Sequence, residues 1–111
     1  MALHLFRYNV TNLNGEESSV ALRTSSGTSY EISGNIDDPA VVFIHGLGLS
    51  HKTWNNIAPC FNDRYRVVLY DLNGHGESDA SAQTQTLSLF AEQLADLLDE
   101  LDIRRAAIIG F

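Results

Sequence analysis

Ala40-Val-Val-Phe-Ile-His45-Gly-Leu-Gly48 is the stretch whose reading decides the fold. Val41 to Ile44 is an unbroken apolar run, the pattern of a strand buried on both faces of a parallel sheet. Asp37-Asp38-Pro39 punctuates the chain before it, and a glycine-bearing turn follows at once. Arg66-Val-Val-Leu-Tyr70 and Ala106-Ala-Ile-Ile109 repeat the short strand pattern further on. Trp54, Ile57, Ala58 and Phe61 recur at helical spacing between the first two runs. Before the third, beyond a polar loop from Glu77 to Thr86, Leu87, Phe90, Leu94, Leu97, Leu98 and Leu101 define one apolar helix face. The order β-α-β-loop-α-β with short connections predicts one α/β layer architecture, a mostly parallel sheet with flanking helices.

Upstream, Leu3 to Val10, Val20 to Arg23 and Ser29 to Ser33 read as short strands, the latter two joined by the Ser25-Ser26-Gly27-Thr28 turn. Asn12 to Ser19 reads as an exposed loop. No internal repeat, low-complexity tract or linker divides the 111 residues into two domains.

The charge balance excludes several classes of function. Fourteen acidic residues oppose seven basic ones, for a formal net charge of -7, and no basic cluster forms a stripe that could track phosphates. Nucleic acid is therefore not an expected partner. Glu92, Asp96, Asp99, Glu100 and Asp102 share the last helical segment, where a solvated face accounts for them. Cys60 is the sole cysteine, which leaves no internal disulfide or C-x-x-C site; its apolar neighbours predict a buried thiol. No stretch reaches membrane-spanning length and no secretory leader opens the chain, so a cytoplasmic location and no membrane partner are expected. Asn9-Val10-Thr11 matches a glycosylation acceptor but lacks the secretory route it needs.

No cofactor is expected, because the glycines match neither G-x-G-x-x-G nor a Walker lysine motif. No metal is expected either. His4, His45, His51 and His75 lack paired Cys/His or H-E-x-x-H spacing, and His51 with Asp71 lacks a third ligand.

His45-Gly46-Leu47-Gly48 places small residues directly after a buried strand, where a sharp turn can aim main-chain N–H groups at a substrate. Asp71-Leu72-Asn73-Gly74-His75-Gly76-Glu77-Ser78 follows the next strand, and Gly110-Phe111 ends the third. Taken in this order, the three segments resemble the amino-terminal part of an α/β-hydrolase, serine esterase/lactonase-like branch, over about the first two-fifths of its usual catalytic domain. The resemblance implies a partial α/β-hydrolase fold with an antiparallel amino-terminal portion. Residues 1–111 would then be the start of one such domain, ending just before the nucleophile, with the elbow, the cap and the rest of the triad absent. By the same resemblance the Leu47 backbone N–H is one oxyanion donor, and His45, Gly46 and Gly48 support its loop. Asp71, Gly74, His75, Gly76 and Ser78 form a structural turn, and Gly110-Phe111 is the approach to G-x-nucleophile-x-G. Asp71, His75 and Ser78 look like hydrolytic residues, but triad members sit on separated loops and their spacing excludes a self-contained triad. Trp54 and Tyr70 are candidates for an acyl pocket, with core packing the alternative for both rings.

The parent activity implied is hydrolysis of a small carboxylic ester or lactone through an acyl-enzyme, with the 111-residue chain itself inactive. An Asp nucleophile would instead imply an epoxide hydrolase or haloalkane dehalogenase, and a third alternative is a non-catalytic scaffold or interaction domain. Sheet edge and helix-docking surface left exposed predict self-association.

Overall fold

The computed structural model describes residues 9–11, 17–19, 22–80 and 84–110. Among them, the strands are β1 (Asn9–Thr11), β2 (Glu17–Ser19), β3 (Leu22–Arg23), β4 (Ser29–Ser33), β5 (Ala40–Ile44), β6 (Arg66–Tyr70) and β7 (Ala106–Gly110). One α-helix, α1 (Leu87–Glu100), and two 3-10 turns, His51–Trp54 and Ala58–Phe61, complete the elements. β1 and β2 pair with each other, antiparallel, and the remaining strands form a sheet in the order β3-β4-β6-β5-β7. β5 runs parallel to β6 and β7, whereas β4 is antiparallel to both β3 and β6. This mixed sheet has the arrangement expected from the sequence, with its antiparallel portion at the amino end.

The unbroken apolar run of β5 has the expected cause, since successive side chains feed opposite faces of the sheet. Val42 packs with Tyr30, Ile32, Val68, Tyr70, Leu72, Leu97, Leu101 and Ile103 on the α1 side. Val41 and Phe43 pack with Trp54, Ala58, Val67 and Leu69 on the side of the 3-10 turns. Phe43 contacts the rings of Trp54 and Phe61 at centroid distances of 5.1 and 5.3 Å. The α1 helix is capped at Thr86, whose side chain accepts the Leu89 N–H, and beyond its C-cap Leu101 the chain passes through buried Ile103 into β7.

The structure corrects several sequence expectations. The segment from Trp54 to Phe61 is not a crossover α-helix. Pro59 has no N–H to donate, and the chain forms two short 3-10 turns that bury Trp54 and Ala58 and leave Ile57 exposed. Cys60 is exposed, because Ala58 and Phe61 take the inward side of the second turn. Leu87 stands at the first position of α1 with 87% of its surface exposed, so the apolar stripe starts at Phe90. Glu17–Ser19 is a strand, although the sequence read it as loop. Of the expected Leu3 to Val10 strand, only Asn9 and Val10 are described, within β1; residues 3–8 lie outside the described residues, as do 12–16, 20–21 and Phe111. The acidic residues of α1 behave as expected of a solvated face, with Glu92, Asp96 and Asp99 exposed.

Candidate active site

Parallel β5 and β6 deliver their following loops to the same end of the sheet, where ligand sites of open α/β sheets lie. Ile44 is paired with both Tyr70 and Gly110, so His45, Asp71 and the end of β7 are brought side by side. Gly46 to Leu49 form a tight turn closed by the Leu49 N–H on the Gly46 carbonyl at 3.1 Å. Gly48 takes the third position at φ 81°, the left-handed conformation that a type II turn requires there. Leu47 sits at the crest with 73% of its surface exposed, and among the described residues its N–H has no acceptor.

His45 is buried beneath this turn. Its Nε2 lies 3.0 Å from the Leu72 nitrogen and its Nδ1 2.8 Å from the Gly46 carbonyl oxygen. A main-chain N–H can only donate and a carbonyl can only accept, so Nδ1 carries the proton and the ring is neutral. Burial, the largest influence, lowers the ring below its ordinary value and favours the same state.

Asp71 anchors the second loop and is fully buried. Its Oδ1 accepts the His51 main-chain N–H at 2.8 Å and lies 2.9 Å from His51 Nδ1, while Oδ2 accepts the Glu77 N–H at 3.0 Å. Burial alone would raise the carboxyl, but the N–H groups of Glu77 and His51 and the charged His51 ring outweigh it and hold the carboxyl below its ordinary value. His51 is raised to about 9, by the Glu31 carboxylate facing Nε2 and by Asp71, against the opposing effect of burial. Glu31 stands at 3.7 Å, an ion pair without a hydrogen bond, so Asp71 is the closer partner. As a pair, His51 and Asp71 are considered in the sequence only as metal ligands, with Asp71 also a turn residue; the structure joins the two as an ion pair.

The remaining turn residues are equally committed. Ser78 donates to the Asp71 carbonyl at 2.6 Å and accepts the Ser29 N–H at 2.9 Å. Gly76 at φ 49° lies directly under the Asp71 carboxylate, which a side chain there would strike. His75 accepts the Gly48 N–H on Nε2 at 2.9 Å, and its Nδ1 lies 2.9 Å from the Asn73 carbonyl oxygen. Asp71, His75 and Ser78 thus bind main chain or His51 and do not form a relay with one another. Trp54 and Tyr70 are both buried within the packed core, where burial pushes the Tyr70 hydroxyl up to about 12.

Sequence reasoning missed Gln93. This buried α1 side chain accepts the Asn73 N–H at 2.9 Å and donates to the Asp71 carbonyl and Thr28 Oγ1, each at 3.0 Å. Its signal was a polar residue three places after Phe90 and four before Leu97, inside the apolar stripe.

The family model for the alpha/beta hydrolase fold matches residues 39–111, from the residue before β5 through the end of β7. The chain belongs to this family. This hydrolase-fold chain is 39% identical over 88 residues to 3-oxoadipate enol-lactonase 1 of Acinetobacter baylyi, covering 79% of itself and 33% of that protein. It is 39% identical over 90 residues to a non-heme chloroperoxidase of Streptomyces lividans, covering 78% of itself and 33% of the relative. It therefore spans about a third of the length of these curated relatives. Among solved structures, a haloalkane dehalogenase of Bradyrhizobium elkanii superposes with a TM-score of 0.73 at 30% identity, over 80% of this chain and 31% of that one. A hydrolase of Pseudomonas aeruginosa superposes with a TM-score of 0.74 at 31% identity, over 83% and 36% respectively.

Proposed function

We propose that the chain is the amino-terminal portion of a single α/β-hydrolase domain whose whole protein hydrolyses a small carboxylic ester or lactone through a seryl acyl-enzyme. The observation that carries this is the Leu47 N–H, which has no acceptor among the described residues and stands at the exposed crest of a turn beside the end of β7. Developing negative charge on an acyl oxygen is stabilised most by donors already fixed in place, and the His45 and Gly48 hydrogen bonds supply that rigidity. A serine immediately after Phe111 would leave β7 next to this donor, with its own following N–H as the second. A histidine further along would take the serine proton, an acidic residue would orient that histidine, and water would hydrolyse the acyl-enzyme. None of those three groups belongs to the 111 residues, so the chain alone is inactive on this proposal. Similarity to an enol-lactonase supports the ester or lactone class.

The likeness to a haloalkane dehalogenase supports a second reading, an aspartate nucleophile at the same turn acting on an alkyl halide or epoxide. Both are tested by reading the coding sequence across Phe111, expressing its product and treating it with a fluorophosphonate and an activated ester. Labelling of a serine next to Phe111, with a burst of product, is expected. An aspartate there with a covalent alkyl-enzyme would select the second reading, and neither nucleophile would overturn both, favouring a scaffold domain.

A further inference from the structure

The two loops at this end of the sheet exchange imidazoles. His45, in the loop after β5, accepts the Leu72 N–H of the loop after β6; His75, in that second loop, accepts the Gly48 N–H of the first. In each ring Nδ1 faces a nearby carbonyl, of Gly46 or Asn73, so both protons are on Nδ1 and both Nε2 atoms are acceptors. The rings lie 5.2 Å apart. A proton added to either Nε2 turns an acceptor into a donor that faces another donor. A second proton would also set two positive rings against each other.

We propose that His45 and His75 form an acid-sensitive clasp: neutral, they hold the Leu47 turn in place, and protonated, they release it. They are positioning residues, and the consequence for catalysis rests on the oxyanion role proposed above; the clasp itself does not. The charged surroundings do not remove the conflict. His45 faces His75, Asp71 and His51, and Asp71 is already committed to His51 and the Glu77 N–H. Helix α1 presents the uncharged Phe90 ring to His75, at a centroid distance of 6.4 Å. Burial lowers the His45 value, so its contribution is complete above the ordinary value of about 6.5 and is lost as pH falls through the lower folded value.

The test is NMR on the 15N-labelled 111-residue chain. Long-range imidazole correlations at pH 8 are expected to show unprotonated Nε2 in both rings. As pH falls, protection of the Gly48 and Leu72 amides from exchange, referenced to unstructured peptide at each pH, is expected to drop roughly five- to tenfold, the worth of one hydrogen bond. Val42 and Val68 in the central strands should keep their protection through that step. His75→Gln, which can offer a carbonyl acceptor that does not titrate, should make Gly48 protection independent of pH. If this variant does not fold, the titration of the unaltered chain still decides. An Nε2-H tautomer in either ring, unchanged protection through the titration, or loss only together with Val42 and Val68 would overturn the clasp. Failure to form an acyl-enzyme beside a normal amide titration would reject the hydrolase proposal and leave the clasp standing.

Discussion

Gly76→Ala is expected to destabilise the chain far more than Gly48→Ala, although both glycines occupy the left-handed region, at φ 49° and 81°. That conformation costs an ordinary L-residue about 1–2 kcal/mol. At Gly48 nothing lies within 4 Å of an added Cβ, so the conformational cost is the whole effect. At Gly76 the Cβ would meet the Asp71 Cγ and Oδ2 atoms at 2.3 Å. A flexible side chain could swing aside, but this carboxylate is fully buried and tied to the His51 N–H, the His51 ring and the Glu77 N–H. Displacing it sacrifices at least one hydrogen bond to a charged group, about 1.5–3 kcal/mol, and brings the total for Gly76→Ala to about 4 kcal/mol. Urea denaturation followed by fluorescence of buried Trp54 measures both variants against the unaltered chain, with equal slopes as the check on a common unfolded state. A Gly76→Ala variant unfolded without urea fits the reasoning. Equal losses for the two substitutions would refute it, because Asp71 would then be free to move.

Other perturbations probe different contacts. Asp102→Gly should stabilise by about 0.5–1 kcal/mol, since Asp102 ends α1 at φ 54° in a turn closed by Ile103 N–H to Leu98 and Asp102 N–H to Asp99 carbonyls; a fall in the thermal midpoint would contradict this. The raised His51 value means that its stabilisation is complete below the unfolded value of 6.5 and is lost as pH rises through about 9. With Glu31 only an ion-pair contact, the loss should be about 2 kcal/mol, read as falling urea midpoints across that window; midpoints that hold steady or rise would count against a charged His51. Gln93→Leu strips the Asn73 N–H of its acceptor inside the structure, and should cost about 2 kcal/mol in thermal or urea unfolding; an unchanged stability would show that the helix does not hold this turn.

Elements with a local cause were legible in the sequence. β5 and β6 announced themselves as continuous apolar runs because both their faces are covered, and Gly48 announced a turn because the backbone there needs a positive φ. The apolar stripe from Phe90 to Leu101 fixed the face of α1 by its period. Where a pattern admits two local solutions, the reading failed. Trp54 to Phe61 carries helical spacing, yet Pro59, inside the second 3-10 turn, has no N–H to carry an α-helix through the segment, and Leu87 fits the stripe but stands at the first position of the helix, clear of the sheet.

The residue types of the candidate site were also legible, but their connections were not. Sequence alone determined that a glycine turn follows β5 and that a second glycine-rich turn follows β6. Only the tertiary structure decided that His45 serves Leu72, that His75 serves Gly48, that His51 neutralises Asp71 and that Gln93 reaches both Asp71 and Thr28. Hydrophobic period and backbone freedom are properties of neighbouring residues, and so they are written along the chain. A buried hydrogen bond depends on which donor meets which acceptor after water is excluded, and that is set when the parallel strands bring separate loops to one end of the sheet.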